Sequence, residues 1–84
     1  MSSKIKKVQN ATRNKYKIGE KVLCYQGNFL YDAKCVKTKT EKPQIEYLVH
    51  YYKWKSKYDE WVPESRILKH NAKNLQLQHK LKQK

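Results

Sequence analysis

Residues 44–52 carry the pattern that most restricts what this chain can fold into. A large apolar side chain takes every second position there: Ile45, Tyr47, Val49 and Tyr51. A period of two brings these side chains to one face of a β-strand, whereas a helix would scatter them around its axis. Because one strand cannot bury its own apolar face, the segment predicts a sheet that packs this face into a core.

Two runs before this strand predict an antiparallel hairpin. Residues 18–25 and 29–37 flank Gln26-Gly27-Asn28, a turn signal between two apolar segments. In the second run, the alternation of side chains predicts one strand face made of Phe29, Tyr31, Ala33 and Cys35. Residues 37–43 are polar and close with a proline, so they predict a loop.

Shorter elements are predicted beyond residue 52. They are, in order, a turn at 53–57 around Trp54, a strand at 58–62 before Pro63, and a brief fifth strand at Ile67 and Leu68. Asn71 can cap a helix over about 71–82, a segment without Gly or Pro. Together these elements predict an all-β fold of about five antiparallel strands, a small curled sheet or barrel, with a C-terminal α-helix as its cap.

The charge of the chain is concentrated at its two ends. The 84 residues, enough for one small domain, carry a net charge of +13. Six basic and no acidic residues fall within 1–17, and five basic and no acidic residues within 69–84. Residues 1–15 therefore predict a flexible basic arm, and residues 16–84 predict the folded domain.

The residues with reactive side chains do not predict an enzyme. The acidic residues are scattered, and the adjacent Asp59 and Glu60 would point to opposite faces of a strand. Cys24 and Cys35 lack the C-x-x-C spacing of a zinc site, so we expect two reduced, buried thiols and no metal or cofactor. No apolar run approaches the ~20 residues of a membrane span or resembles a signal peptide, so we expect the cytosol or nucleus and no membrane partner.

The aromatic residues carry the strongest functional signal. Tyr51, Trp54 and Tyr58 surround one predicted strand–turn–strand corner, and Tyr31 from the hairpin can reach the same rim. Converging ring faces attract a cation, and a methylated lysine suits such a site because its methyl groups weaken hydration and add apolar contact. The alternative is that these rings only fill a small barrel. We assign Trp61, which lies between Glu60 and Val62, to the core.

Four segments of the chain resemble a known family. They are Lys21-Val22-Leu23-Cys24-Tyr25-Gln26-Gly27, Leu30-Tyr31-Asp32-Ala33-Lys34-Cys35, His50-Tyr51-Tyr52-Lys53-Trp54, and Tyr58-Asp59-Glu60-Trp61-Val62-Pro63-Glu64-Ser65-Arg66. Their order and spacing are similar to the chromo barrel domain of the MRG (mortality-factor-related) and MSL chromatin proteins. The resemblance covers about residues 17–82. It implies an SH3-like chromo barrel, nuclear localisation, and membership in histone acetyltransferase or deacetylase complexes.

The same resemblance implies a ligand and a site. Members of this family read methylated lysine on the histone H3 tail, the thirty-sixth lysine in particular. Carried over by position, the aromatic cage would be formed by Tyr31, Tyr51, Trp54 and Tyr58. Family members usually have Trp at the position of Tyr58, Gly at the position of Lys53, and His at the position of Gln26.

The basic arms predict a second kind of contact. On a nucleosome, DNA phosphates lie next to the histone tail, and they would be met by Lys4, Lys6, Lys7, Arg13, Lys15, Lys17, Lys69 and Lys73. Resemblance to the basic Tudor-knot modules of related acetyltransferases leaves an RNA- or DNA-binding module as the alternative, with the rings mainly in the core. A scaffold role, in which the barrel docks another protein, is a third hypothesis. For the arms themselves, the alternative is that they are solvated tails that only aid solubility.

Overall fold

Five antiparallel strands form one sheet in the computed structural model, which describes residues 15–40 and 45–82. The strands are β1 (Lys21–Gln26), β2 (Phe29–Lys39), β3 (Glu46–Tyr51), β4 (Glu60–Pro63) and β5 (Ile67–Lys69). Their order in the sheet is β4-β3-β2-β1-β5, so the two strands at the edges are neighbours in the sequence. A single 3-10 turn, Glu64–Arg66, joins these two edges, and the sheet must therefore curl into a barrel. The predicted all-β class is confirmed.

The predicted hairpin is present, with a longer second strand than expected. Gln26 pairs with Phe29, which leaves a turn at Gly27 and Asn28. Gly27 has a φ of 66°, the left-handed conformation that tight hairpins favour. The strand β2 runs to Lys39, into the segment predicted as a loop, because Thr38 and Lys39 pair with Tyr47 and Glu46 of β3 beyond a register shift between Cys35 and Lys37. Residues 41–44 of that predicted loop lie outside the described residues.

The core lies on the concave face of the sheet. The predicted alternation in β3 is confirmed, since Tyr47, Val49 and Tyr51 are fully buried. They pack with buried side chains of the other strands, which are Val22, Cys24, Ala33, Cys35, Val62 and Ile67. Both cysteines are free and buried, as predicted, and burial raises the pKa of each thiol.

Two tyrosines close one end of the barrel. Tyr16 is buried, and its hydroxyl donates to the backbone oxygen of Ile67 at 3.0 Å. Its ring meets that of Tyr47 edge-on, at a centroid distance of 5.4 Å. The Tyr47 hydroxyl donates to Glu64 at 2.8 Å, and burial together with this carboxylate raises the pKa of Tyr47 to about 12. The segment before β1 is thus part of the folded body from Tyr16 onward.

A helix covers part of the convex face. The helix α1 (Ala72–Lys82) begins as predicted, because the Asn71 side chain accepts a hydrogen bond from the backbone N–H of Asn74 at 2.9 Å. The Gln78 amide donates to the Leu30 backbone oxygen at 3.1 Å and to Asp32 at 2.9 Å, which ties the helix to β2. Leu23 and Leu30, both fully buried, lie on this face rather than in the main core. Within the described ranges, no helix has the length and apolar character needed to cross a bilayer.

Our assignment of Trp61 to the core is wrong. Its side chain is 42% exposed, whereas its neighbour Val62 is fully buried. Successive residues of β4 point to opposite faces, and Val62 takes the inward position opposite Tyr47. Trp61 therefore lies on the outer face beside Leu48, where the Lys39 ammonium is 5.6 Å from the centroid of its ring.

We expect Leu23→Ala to lower the free energy of unfolding by about 2–5 kcal/mol, because it leaves a cavity in a fully packed site. Trp61→Ala should lower it by less than half as much, since 42% of this residue is already exposed to water and its removal leaves no enclosed cavity. Urea denaturation followed by circular dichroism measures both. A larger loss for Trp61→Ala than for Leu23→Ala would contradict the placement of these two side chains.

Candidate aromatic site

Four aromatic rings meet at the corner where β3 ends. Tyr31 lies on β2, and Tyr51 is the last residue of β3. Trp54 lies in the turn after β3, and Tyr58 ends a 3-10 turn that spans Ser56–Tyr58. The ring centroid of Trp54 is 5.0 Å from that of Tyr31, 4.9 Å from that of Tyr51 and 5.7 Å from that of Tyr58. The structure thus brings together all the side chains predicted for the cage, with Trp54 in the middle.

The angles between the ring planes separate the rings that form the sides of the site from the ring behind them. The planes of Tyr31 and Tyr58 are steeply inclined to that of Trp54, at 63° and 82°, so these three rings form the sides. Tyr51 is inclined by only 36° and is fully buried, so it lies behind Trp54. Tyr31 and Trp54 are half-buried, and Tyr58 is 50% exposed. An incoming group therefore meets Tyr31, Trp54 and Tyr58, whereas Tyr51 belongs to the core and supports the indole.

The turn that holds Trp54 contains an unusual backbone conformation. The backbone N–H of Trp54 donates to the backbone oxygen of Tyr51 at 3.1 Å, which folds the chain back on itself. Lys53, between them, has a φ of 70°, in the left-handed region that costs a residue with a side chain about 1–2 kcal/mol. The backbone N–H of Tyr52 donates to the backbone oxygen of Asp32 at 3.1 Å and ties this turn to β2. The turn therefore sets the position of Trp54 at the expense of local strain.

Below the rings lies a polar network that the sequence did not reveal. The Tyr51 hydroxyl donates to Glu60 at 2.7 Å, and Arg66 donates to the same carboxylate at 2.7 Å and to the Tyr25 backbone oxygen at 2.7 Å. The thiol of Cys24 lies 3.3 Å from the Tyr51 oxygen. Burial opposes ionisation of Glu60, but the hydrogen bonds from Tyr51 and Arg66 and the arginine charge outweigh it, so the pKa of Glu60 is lowered. Burial and these partners raise the pKa of Tyr51.

Three lysines form a basic rim beside the rings. Lys53, Lys55 and Lys57 line one groove together with Trp54 and Tyr58. The Lys57 ammonium lies 5.4 Å from the centroid of the Tyr58 ring. The sequence analysis did not predict Lys55 and Lys57 as site residues. The signal for them is that a lysine takes every second position from Lys53 to Lys57, beside Trp54 and Tyr58.

The lysines predicted to contact nucleic acid are partly brought together. The ammonium groups of Lys15 and Lys69 lie 6.0 Å and 5.2 Å from the centroid of the Tyr16 ring. Lys69 also forms an ion pair with Glu20 at 3.1 Å. Lys17 and Lys73 are exposed on the segment before β1 and on the first turn of α1. The other predicted residues, Lys4, Lys6, Lys7 and Arg13, lie outside the described residues.

The part of the chain described holds no cluster of side chains suited to a metal ion. No group of three His, Cys, Asp or Glu side chains lies together as metal ligands would within residues 15–40 and 45–82. The acids near the rings already have partners, since Asp59 contacts His50 at 2.7 Å and Glu60 contacts Arg66. The chemistry that the corner does offer is that of electron-rich ring faces, which attract cations.

Comparison with known proteins identifies the family. The family model described as MSL3 chromodomain-like matches residues 16–83. This chain belongs to that family. The resemblance inferred from the four sequence segments is therefore confirmed, and the match includes every residue of the aromatic corner.

Solved structures and curated relatives agree with this family assignment. The structure of the Drosophila MSL3 chromodomain is similar with a TM-score of 0.80 at 28% identity, over 84% of this chain and 93% of that chain. Mortality factor 4-like protein 1 of Rattus norvegicus is 51% identical over 67 residues, and the NuA4 complex subunit EAF3 homolog of Drosophila melanogaster is 46% identical over 63 residues. These matches cover 80% and 75% of this chain but only 21% and 15% of the two relatives. The chain thus spans about a fifth of their length or less.

We expect Glu60→Gln to weaken the fold mainly at neutral pH. The lowered pKa of Glu60 means that its ionised form stabilises the folded state above its ordinary pKa, near 4.5, and that this stabilisation is lost as the pH falls through the folded-state value. At pH 7 the free energy of unfolding of the variant should be lower than that of the parent by about 1 kcal/mol, since solvent weakens the interactions of a partly exposed carboxylate. At pH 3 the difference should be smaller.

Thermal melts between pH 7 and pH 3 measure this difference, and Glu46→Gln, outside the network, is the matched control. An equal loss for Glu60→Gln at both pH values would contradict the ionised network.

Proposed function

We propose that this chain is a chromatin reader that binds methylated lysine of the histone H3 tail, at the thirty-sixth lysine, and has no enzymatic activity. The observation that carries this proposal is the cluster of Tyr31, Trp54 and Tyr58 at an exposed corner, backed by the buried Tyr51. A trimethylammonium group cannot donate hydrogen bonds and is weakly hydrated, so ring faces compete well with water for it. Each ring contributes about 0.5–2 kcal/mol to such an interaction, which limits the affinity of the cage alone.

The cluster is ordered by its own contacts. Trp54 packs on Tyr51, and Tyr51 is held by Glu60 and Cys24. Since these contacts do not depend on a ligand, binding orders few additional side chains, which lowers the entropic cost of association. This supports a site formed before the peptide arrives.

The proposed setting is the nucleus, within a histone acetyltransferase or deacetylase complex. The names of two relatives support it: the NuA4 complex subunit EAF3 homolog of Drosophila melanogaster and the chromatin modification-related protein EAF3 of Mycosarcoma maydis. A histone tail is basic, and a domain of net charge +13 repels it at long range. Contacts between the basic arms and nucleosomal DNA would overcome this repulsion. Of the lysines predicted for this contact, Lys15, Lys17 and Lys73 are described without an ion pair, whereas Lys69 is paired with Glu20.

An RNA- or DNA-binding module with the rings in the core is the competing function. It is favoured by one observation, the complete burial of Tyr51. The partial exposure of the other rings argues for the cage instead. Binding of methylated peptide by single-ring variants separates these two functions.

We expect Trp54→Ala to reduce the affinity for a trimethyllysine peptide by at least about tenfold, because it removes the central wall of the cage. Trp61→Ala is the matched control: it deletes an exposed indole outside the cluster and should leave affinity unchanged. Calorimetric titration measures both, with a peptide that carries the neutral tert-butyl isostere of trimethyllysine as a second comparison. Equal binding of the charged and neutral peptides, or unaltered binding by Trp54→Ala, would rule out a cation cage.

Deletion of residues 1–14 should flatten the salt dependence of duplex DNA binding. It removes Lys4, Lys6, Lys7 and Arg13 but keeps Tyr16 in the core. The log–log slope should fall by about 0.9 for each phosphate that the shortened protein no longer binds, whereas affinity for a free methylated peptide should stay the same or rise slightly. Fluorescence anisotropy over a salt series gives the slope, and an unchanged slope would exclude the N-terminal arm from DNA binding.

A further inference from the structure

One side-chain contact closes the segment that carries most of the aromatic site. Residues 51–58, which we call the corner loop, include three of the four rings, those of Tyr51, Trp54 and Tyr58. His50 directly precedes this loop and Asp59 directly follows it. The Nδ1 atom of His50 lies 2.7 Å from the Oδ1 atom of Asp59. This hydrogen bond, which we call the clamp, therefore joins the two ends of the corner loop.

Backbone pairing does not hold the second half of the corner loop. The pairing of β3 with β4 ends with Val49 opposite Glu60, one residue before the clamp on each strand. The first half of the loop is tied to β2 by a backbone hydrogen bond. Within residues 55–59, the backbone hydrogen bonds described span only three residues each. The clamp is therefore the described hydrogen bond that ties this second half to β3.

Tyr58 is the ring that depends most on the clamp. It is half exposed, and the contacts described for its ring are with Trp54 at 5.7 Å and with the Lys57 ammonium at 5.4 Å. Trp54, by contrast, also packs against the two other rings of the cluster. Loss of the clamp would therefore free Tyr58 while the indole keeps its support.

Local backbone preference does not favour the shape of the corner loop. Lys53 has a φ of 70°, which is unfavourable for a residue with a side chain. This strain favours other conformations of the loop, and a bond between the two ends of a loop restricts the conformations that it can reach. The clamp therefore opposes the strain at Lys53.

The clamp lies outside the core. Both of its side chains are partly exposed. Val49 and Tyr51 are buried on the inner face of β3, so His50 between them lies on the outer face, opposite Lys34 of β2. A partly exposed pair of this kind contributes little to the stability of the whole fold. Its effect should therefore be concentrated in the loop that it closes.

We propose that His50 and Asp59 are positioning residues for the aromatic cage, because their hydrogen bond holds Tyr58 in place before a ligand arrives. This proposal rests on the proposed methyl-lysine function. A side chain that moves freely in the unbound protein must be ordered on binding, and this ordering lowers affinity. For one aromatic side chain, the loss corresponds to about three- to tenfold in affinity.

Calorimetric titration with a trimethyllysine peptide tests the clamp. We expect Asp59→Ala and His50→Ala each to lower the affinity by about three- to tenfold. The two changes together should lower it no further than either alone, because each removes the same bond. Glu20→Ala is the matched control: it removes the same charge and breaks a partly exposed pair with Lys69 outside the corner, so the affinity should not change.

Two further variants separate the bond from the charge and from the fold. Asp59→Asn keeps an oxygen that can accept a hydrogen bond from His50, so it should retain most of the affinity. In the Tyr58→Ala protein, Asp59→Ala should cause no further loss of affinity, because the clamp acts through this ring. The melting temperature of Asp59→Ala should stay close to that of the parent.

A measurement without peptide distinguishes a failure of this proposal from a failure of the proposed function. The chain has two tryptophans, so Trp61→Phe leaves Trp54 as the single source of indole fluorescence. In that background, Asp59→Ala should shift the emission to longer wavelength, because water reaches the indole when Tyr58 moves away. Glu20→Ala should not shift it. If the parent binds no methylated peptide, the proposed function is wrong, and the emission alone decides whether the clamp positions Tyr58.

The opposite results would overturn the proposal. Unaltered affinity or unaltered emission in Asp59→Ala would show that Tyr58 does not need the clamp. An equal loss of affinity in Asp59→Asn would assign the effect to charge, and an equal loss in Glu20→Ala would make it unspecific. A loss from Asp59→Ala that is as large without the Tyr58 ring as with it would place the effect elsewhere in the site.

Discussion

The hydrogen bond between the Tyr51 hydroxyl and Glu60 connects the core of this domain to its candidate binding site. Tyr51 is at once a buried residue of β3 and the surface against which Trp54 packs. Its hydroxyl could be buried only because Glu60 and Cys24 lie beside it, since an unpaired buried polar group is costly. Arg66 balances the charge of Glu60 and also holds the Tyr25 backbone, so the position of the indole depends on β1, on β4 and on the 3-10 turn that joins the two edges of the sheet.

Much of the fold could be predicted because the local signals agree with the tertiary structure. The alternation in β3, the glycine turn after Gln26 and the Asn71 cap each depend on a few adjacent residues. Trp61 could not be placed in the same way. Its neighbour Val62 is also apolar, and only the pairing of β4 with β3 decides which of the two faces inward. The extension of β2 to Lys39 likewise depends on its pairing with β3 across a register shift that no residue type marks.

The candidate site was predictable in its membership but not in its internal arrangement. The spacing of Tyr51, Trp54 and Tyr58 around a turn was enough to bring the rings together. That Tyr51 lies behind Trp54 follows from the barrel, which buries the inward face of β3 up to its last residue. The polar network joins residues far apart in the sequence, such as Cys24 with Tyr51 and Tyr25 with Arg66, and such long-range pairs leave no periodic pattern to read.

The connection of the two sheet edges by Glu64–Arg66 has a consequence for how the domain assembles. Three of the four rings at the aromatic corner, Tyr51, Trp54 and Tyr58, are close together in the chain, so the turn that carries them needs only local contacts to form. The pairing of β1 with β5, by contrast, joins Val22 to Lys69 and requires a long segment of chain to close. Arg66 belongs to the segment between β4 and β5, so we expect the corner to become rigid only when these non-local contacts of the barrel have formed.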